Sequence, residues 1–406
     1  METLPQEGPP QGEPEPAREE HGPDSAQDQA RRYHRIGRLV GIARSALGFS
    51  FLVAALASGL SRALAGWIRS WTENPWLEAA VFSALLILGY EVLSLPLDIY
   101  GGYRLPRTFG LSRQTPAEWW RDQAKGLFIG LFLGLLGVEA LSWLLRTKGP
   151  WIFPLWAGLV LLLFLTLGNY LAPVLLMPLF FKTRRVRDEA LERRLAELAR
   201  NAGAEVRGVY EFDLGRKSRA ATAALTGLGR TRRILLSDTL LSHFTPEETA
   251  VVLAHELAHH KRRHIPKLIA AQAALGTGAF FAVARALESL GPLLGLGSAA
   301  DPAGLPLVFL VLGGAAWIAA PFARSVSRRI EAGCDDYALH ATRRPDAFIS
   351  AMRKLSRLNL AEESPSPWVE RLFYSHPSVR RRIERAEEFR RELSTGGDEG
   401  PSPRRA

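Results

Sequence analysis

Long apolar runs alternate with charged segments over most of this chain. Four runs contain no charged residue, namely residues 45–61, 151–181, 268–284 and 302–323. Two weaker runs, 79–97 and 126–145, are each interrupted by one glutamate. A helix of about 20 apolar residues crosses the roughly 30 Å hydrocarbon core of a bilayer. The pattern therefore predicts six membrane-spanning helices and a mainly α, polytopic membrane fold.

The run at 151–181 is longer than a bilayer requires. Its 31 residues contain no charge, and at about 1.5 Å per residue they exceed the hydrocarbon thickness. We expect this segment to tilt, to project beyond the lipid, or to kink at Pro173 or Pro178. The interrupted runs would also suit amphipathic helices of a soluble core, but so many apolar blocks in one chain favour membrane spans.

Glu91 and Glu139 are the two charges inside these predicted spans. A carboxylate at membrane depth usually faces protein or a water-filled cavity, because lipid cannot solvate it. The alternative is that each side chain lies near a span end and reaches the headgroups.

The formal net charge is +10, and most of the excess is arginine beside the spans. Attraction to anionic lipid headgroups accounts for this distribution, and no nucleic-acid-binding module is visible. Membrane lipid is therefore a predicted partner, and nucleic acid is not. The single cysteine, Cys334, excludes an internal disulfide.

Basic residues also predict the orientation. Residues 1–30 are rich in Pro, Glu, Gln and Gly and lack the apolar core of a signal peptide, so we expect disorder there. The positive-inside rule places the basic segments 99–125, 182–267 and everything after Arg324 in the cytoplasm, with both termini. We expect a multi-pass protein of the plasma (inner) membrane with its chemistry on the cytoplasmic side.

These boundaries divide the chain into six parts. We expect a disordered tail (1–38), four spans with a cytosolic loop at 99–125 (39–181), a cytosolic segment (182–264), two further spans (265–323), a second cytosolic segment (324–392) and a disordered tail (393–406).

The first cytosolic segment predicts a helix followed by a small sheet. Residues 186–204 have the spacing of an amphipathic helix, and 206–212 read as a short strand. Residues 220–226 and 234–236 flank the turn Gly227-Leu228-Gly229 and predict a β-hairpin. Its edge could accept an extended peptide as an added strand, although an ordinary packing hairpin has the same pattern.

Residues 255–264 contain the strongest candidates for a metal site, because they hold four of the nine histidines. On a helix, His255 and His259 are four residues apart and share one face, with Glu256 beside them. Two imidazoles and a carboxylate in the order H-E-x-x-H are typical of a zinc hydrolase, in which the glutamate takes a proton from water. Thr245, Pro246 and Glu248 predict a capping box at the start of this helix. A histidine-rich basic surface helix is the alternative.

A hydrolytic zinc site uses three protein ligands, and Glu331 is the candidate third. It lies in a segment of helical character after two further spans. Asp335 is one helical turn later, placed to accept a hydrogen bond from a ligating histidine. Cys334 is a competing soft ligand, but a His-His-Glu set suits hydrolysis better.

A third cluster surrounds Ser375-His376-Pro377 and continues into an arginine-rich run that includes Arg382. A histidine and an arginine near the metal could stabilise the oxyanion that forms when water attacks a peptide carbonyl. A capped amphipathic helix would have the same pattern.

Together these clusters resemble the Ste24-type CAAX prenyl endopeptidases, membrane zinc proteases of peptidase family M48, over about residues 40–390. The motifs that carry the resemblance are HELAH followed by His264, SRRIEAGCDD, SHPSVRRRI, TGLGRTRRILLSDTLL and PLFFK. Members usually have Asn-Ala-Tyr-Phe where this chain has Thr222-Ala223-Ala224-Leu225, asparagine at Phe181 and alanine at Cys334.

The resemblance implies an α-helical barrel around a water-filled intramembrane chamber, which would give the two intramembrane glutamates a polar space to face. It implies one Zn²⁺ per chain and these roles: metal ligands His255, His259 and Glu331, catalytic base Glu256, supporting residue Asp335, and His376 with Arg382 near the transition state. The implied partner is a peptide or protein substrate, possibly lipidated.

Function is predicted as zinc-dependent endoproteolysis of C-terminal CAAX-like or other membrane-associated substrates. A broad-specificity quality-control protease and a non-catalytic zinc-stabilised scaffold are the alternatives. Glu256 favours an enzyme over a scaffold, because a structural metal site has no use for a carboxylate beside an open coordination position.

Overall fold

The computed structural model describes residues 23–227 and 231–395, which are mainly helical. The helices are α1 (Pro23–Ala57), α2 (Leu60–Arg69), α3 (Pro75–Asp98), α4 (Leu105–Thr108), α5 (Pro116–Thr147), α6 (Phe153–Leu175), α7 (Met177–Phe180), α8 (Glu189–Asn201), α9 (Asp238–His243), α10 (Pro246–Lys261), α11 (His264–Leu290), α12 (Leu305–Thr342), α13 (Pro345–Leu358), α14 (Pro367–Phe373) and α15 (Val379–Thr395). The strands are β1 (Thr183–Arg185), β2 (Val209–Phe212), β3 (Ala223–Thr226) and β4 (Arg233–Ser237).

Six helical segments among the described residues are long and apolar enough to cross a membrane, as the sequence predicted. They contain α1, α3, α5, α6, α11 and α12. A π-helical segment, Ile99–Arg104, continues α3 into α4. Pro173 lies inside the last turns of α6, which ends at Leu175 before the short α7. The long apolar run therefore breaks near its prolines, as expected.

The six spanning helices form a closed ring. Going round it, α1 contacts α3, α3 contacts α5, α5 contacts α6, α6 contacts α11, α11 contacts α12, and α12 returns to α1. Closure explains how an apolar chain of this length can hold polar groups at membrane depth, because a ring has an inside as well as a lipid-facing outside.

Two expectations about the chain ends need correction. Residues 23–38, assigned to a disordered tail, are the first turns of α1, and residues 393–395 complete α15. The reason for the first is that Ala30 is buried against Leu111 and Leu360, so tertiary contacts hold a segment that composition alone would leave unfolded. The rest of both predicted tails, 1–22 and 396–406, lies outside the described residues.

The two intramembrane glutamates have different surroundings. Glu91 lies 3.9 Å from the Arg44 guanidinium, which also pairs with Asp98 at 2.7 Å. Both carboxylate oxygens of Glu139 are buried and have no hydrogen-bond partner among the described residues. Glu91 is therefore part of an ion-pair network between α1 and α3, whereas Glu139 is enclosed by protein.

A four-stranded sheet in the order β1-β2-β4-β3 supports the helices that lie outside the candidate membrane spans. The predicted hairpin is confirmed, since β3 and β4 are antiparallel, while part of its turn lies outside the described residues. β2 and β4 are parallel, and β3 is an edge strand, packed on α10. One apolar core joins this sheet to α8, α10, α13 and α15.

Candidate active site

Helix α10 carries the first half of the site. The predicted capping box is present: Thr245 Oγ1 accepts from the Glu248 amide at 3.3 Å, and the Glu248 carboxylate accepts from the Thr245 amide at 2.8 Å. Leu253 and Leu257 on this helix are fully buried. One face of α10 is packed into the core and its first turn is capped. The face that carries the histidines therefore has a fixed position beside β3.

Helix α12 supplies the second half. Glu331 Oε2 lies 3.0 Å from His255 Nε2, and Glu331 Oε1 lies 3.5 Å from His259 Nε2. These three side chains offer ligand atoms that all lie within 4.8 Å of one another. His259 and Glu331, 72 positions apart in sequence, thus lie side by side, as the sequence predicted. Together with His255 they can hold a metal ion.

Asp335 supports this arrangement from one turn further along α12. Its Oδ1 accepts from His255 Nδ1 at 2.9 Å, which leaves Nε2 of that ring facing Glu331. Arg382 donates two hydrogen bonds to the Asp335 carboxylate, at 2.8 and 2.6 Å. Arg382 was predicted to lie near the transition state, but these two hydrogen bonds bind it to Asp335, which is 2% exposed.

His255 and His259 on α10 have pKa values that shift in opposite directions. Burial alone would lower the pKa of His255, but its hydrogen bonds to Asp335 and Glu331 outweigh burial and raise the pKa to about 9. Burial lowers the pKa of His259 to about 4. Without metal at neutral pH, His255 is protonated and His259 is neutral.

Glu256 faces a cavity of about 510 Å³ that also reaches the edge strand. Burial raises the pKa of the Glu256 carboxyl group towards neutrality. The cavity is lined by His259 and Glu331 as well as by Leu225 and Gly227 at the end of β3. Glu256, whose proton affinity is raised, therefore lines the same cavity as the candidate metal ligands and the end of β3.

His376 reaches the same cavity from the loop before α15. Its Nε2 lies 3.3 Å from Glu331 Oε2, and its side chain is 55% exposed. Burial lowers the pKa of His376 below its usual range, which favours the neutral ring. The sequence prediction that this histidine lies beside the metal-binding group agrees with the geometry.

Sequence reasoning missed the partner of His259. His264 Nδ1 lies 3.2 Å from His259 Nδ1, and His264 is 7% exposed. The signal was visible as a further histidine five residues after His259, but residues at that spacing do not share a helical face. The chain breaks between α10 and α11, where Arg263 has φ of 51°, and this turn brings His264 back onto His259.

A second feature missed from sequence is the contact between α1 and the loop that carries His376. Glu362 accepts hydrogen bonds from Tyr374 Oη at 2.8 Å and from Arg38 at 3.3 Å. His34 Nε2 donates to the Leu360 carbonyl at 3.0 Å. Because Tyr374 is two residues before His376, helix α1 helps to fix the position of that histidine.

We expect Tyr374→Phe to lower kcat about fivefold with little change in KM. The substitution removes the part-buried hydrogen bond that Tyr374 Oη donates to Glu362, worth about 1 kcal/mol, together with a longer one that it accepts from Arg38 at 3.4 Å, and so loosens the loop before His376. Steady-state cleavage of a reporter peptide measures both constants. Arg35→Gln is the control, since Arg35 is an exposed cation on α1, the helix that contacts this loop. Equal kcat values for Tyr374→Phe and the wild type would contradict the positioning role.

A ring of membrane-spanning helices with this site defines an integral membrane metalloendopeptidase. The profile of peptidase family M48 matches residues 185–390, and a profile described as CAAX prenyl protease N-terminal, five membrane helices, matches residues 11–182. The chain belongs to peptidase family M48, among its Ste24-type members.

Individual relatives agree with this assignment. The chain is 28% identical over 338 residues to the uncharacterised metalloprotease YhfN of Bacillus subtilis, covering 82% of this chain and 78% of that one. It is 29% identical over 324 residues to the CAAX prenyl protease 1 homologue of Arabidopsis thaliana, covering 77% and 74%. The crystal structure of S. mikatae Ste24p has the same fold, with a TM-score of 0.80 at 21% identity over 92% of this chain and 91% of that one.

Proposed function

We propose that this protein is a zinc-dependent endopeptidase that cleaves C-terminal CAAX-like or other membrane-associated peptides. The observation that carries the proposal is the convergence of His255, His259 and Glu331 beside a cavity that also contains Glu256. A scaffold would need the three ligands but not the cavity or the additional Glu256 carboxylate. One zinc ion per chain is the proposed stoichiometry.

The donor set fits zinc by its chemistry. Two imidazole nitrogens and one carboxylate oxygen form the ligand set of hydrolytic zinc sites, which leave a coordination position open. Glu331 lies 3.0 and 3.5 Å from the two imidazoles, close to the separation of ligands around one tetrahedral ion. Asp335 fixes the ring of His255, and this support is typical of ligating histidines.

Each residue of the site then has a proposed task. When bound, zinc supplies a Lewis acid that acidifies water and polarises a carbonyl group. Glu256 accepts the proton of the attacking water and returns it to the leaving amine, and burial raises its pKa, which strengthens it as a proton acceptor. His376 is close enough to Glu331 to donate a hydrogen bond to the developing oxyanion. Arg382 acts through Asp335.

The proposed substrate is an extended peptide. β3 is the edge of the sheet, and its end lines the cavity beside Glu256. A peptide that added to this edge as a further strand would have its backbone held across the site. The names of the Arabidopsis and rice relatives, CAAX prenyl protease 1 homologues, support a C-terminal CAAX-like sequence.

We further propose that the site and both termini face the cytoplasm of a plasma (inner) membrane, with one cytosolic segment before and one after the last two spans. Basic residues concentrate in segments 99–125 and 182–267 and after Arg324, and the positive-inside rule supports that side. Cysteine labelling of single-cysteine variants in intact cells tests the orientation.

Substrate choice is tested by comparing three substrates of the purified protein. These are a farnesylated C-terminal CAAX peptide, its unlipidated twin and a misfolded membrane protein. We expect kcat/KM for the farnesylated peptide to exceed that for its twin at least tenfold. Preference for the misfolded protein would favour broad quality-control proteolysis instead.

Metal affinity should rise with pH about tenfold per unit between pH 6 and pH 8. The folded metal-free protein holds an extra proton on His255, whose pKa is about 9, and the metal must displace it. His259, with a pKa of about 4, contributes no slope in this range. Equilibrium dialysis against a zinc buffer series measures the affinity. A flat profile from pH 6 to pH 8 would contradict the assigned protonation of His255.

A further inference from the structure

A second group of metal-binding atoms lies on the far side of the His259 ring. His259 Nδ1 is 3.2 Å from His264 Nδ1, and His264 Nδ1 is 3.8 Å from Cys334 Sγ. One ligand atom from each of the three side chains lies within 4.8 Å of the other two. His255 and Glu331 take no part in this group, although His259 belongs to both groups.

The sequence places these atoms together for two separate reasons. The left-handed turn at Arg263, with φ of 51°, starts α11 so that its first residue, His264, returns to the last turns of α10. On α12, Cys334 follows Glu331 by three residues and so shares the face that looks towards α10. The thiol and the His264 ring are therefore buried at the same place, at 0% and 7% exposure.

The separations match those of ligands around one tetrahedral ion. Metal–nitrogen bonds of 2.0–2.1 Å and a metal–sulfur bond of 2.3 Å imply about 3.4 Å between two nitrogens and about 3.6 Å between nitrogen and sulfur. The observed values are 3.2 and 3.8 Å. The donor set of two imidazoles and one thiol suits thiophilic cations such as Zn²⁺ or Cd²⁺. His259 and His264 line the 510 Å³ cavity, which offers an entry path.

We propose that His259, His264 and Cys334 form a second, inhibitory site for a thiophilic divalent cation. The inference rests on the proposed function, because it takes His259 as a ligand of the catalytic metal. On binding, the Cys334 thiol releases its proton to solvent and the thiolate coordinates the ion. Each Nδ1 coordinates through its lone pair, so the one proton of each neutral ring moves to Nε2.

This proton placement makes the two sites antagonistic. The catalytic group uses His259 Nε2, the nitrogen that faces Glu331 at 3.5 Å. A neutral imidazole has one proton and cannot offer both nitrogens as ligands at once. Metal on Nδ1 therefore weakens metal on Nε2, and by linkage the reverse holds with the same factor. At excess zinc, an ion held by the second group takes His259 from the catalytic ion, which then keeps only His255 and Glu331, so excess zinc should inhibit the enzyme.

Cobalt titration of the full-length protein in detergent tests the site directly. A cysteine-ligated Co²⁺ ion gives a near-ultraviolet thiolate-to-metal charge-transfer band, whereas a His-His-Glu site gives none. The chain has one cysteine, so such a band can come only from Cys334. We expect the band to appear on titrating the wild type and to be absent in Cys334→Ala. No band at any cobalt concentration would overturn the proposal, and this measurement needs no variant to fold.

Inhibition provides the second readout. We expect Cys334→Ala to need at least tenfold more Zn²⁺ than the wild type for half-inhibition of peptide cleavage. Cys334→Ser is a second variant of nearly the same volume, and it should behave like the alanine variant. Equal inhibition of all three proteins would overturn the proposal. A cobalt–thiolate band in a protein that cleaves no peptide would instead count against the proposed peptidase function while supporting the second site.

Discussion

Glu256→Gln is expected to lower peptide cleavage by about two to four orders of magnitude, the usual contribution of a general base. The amide has nearly the shape of the carboxylate but cannot accept the proton of the attacking water. Glu256 is not part of the His255, His259 and Glu331 group. Metal content should therefore remain at the wild-type level, measured by mass spectrometry on the same preparation used for kinetics.

The matched control for this variant is Glu247→Gln. Glu247 lies on the same helix near its start, where it pairs with Arg194 at 2.7 Å on the surface. We expect wild-type activity from this control, because a surface ion pair contributes little. Cleavage by Glu256→Gln at the rate of the Glu247→Gln protein would remove the assignment of Glu256 as base.

Asp335→Asn is expected to weaken metal binding about 10- to 100-fold, as loss of a supporting partner does in other metal sites. It should also destabilise the protein by about 3–5 kcal/mol, because Arg382 would be left with an uncompensated buried charge. Arg382 pairs with Asp335 at 2.6 Å, and its side chain is 14% exposed. Equilibrium dialysis measures the first effect and the midpoint of denaturant unfolding measures the second.

Asp336→Asn provides the comparison at the neighbouring position. Asp336 pairs with Arg385 at 2.8 Å, but these side chains are 36% and 53% exposed. Water can replace that interaction, so we expect less than 1 kcal/mol of destabilisation and unchanged metal affinity. If both substitutions had the same effect, burial of the Asp335–Arg382 pair would not be what holds His255 in place.

The site is coupled to the membrane through its own helices. Glu331 and Asp335 lie on α12, which continues from a membrane span, and His264 begins another span, α11. These three residues therefore attach the metal site directly to two helices of the spanning ring. The contact of α1 with the loop before His376 adds a third such link.

Local sequence was enough for features that depend on neighbours along the chain. The capping box of α10 and the pairing of His255 with His259 on one face follow from helical spacing and backbone chemistry. The break of α6 near Pro173 is one of the three outcomes that the sequence left open. Span-length apolar runs predicted all six membrane segments, because crossing lipid requires a continuous apolar helix.

Features that join distant segments were less visible. Nothing in the sequence near β2 indicates that it pairs parallel with β4, because partner choice depends on how the intervening chain packs. The helical start of α1 was expected to be disordered, since its composition is polar and contacts with distant residues such as Leu111 and Leu360 hold it.

The sequence by itself determined the class of chemistry and the membrane setting, because ligand types, their helical spacing and apolar length are local properties of the chain. Only the tertiary structure decided which atoms meet. Arg382 lies against Asp335, His264 lies against His259, and Tyr374 binds Glu362 on the side of α1. Each of these contacts depends on how separate segments turn and pack against one another, and the residue types along one segment do not specify that geometry.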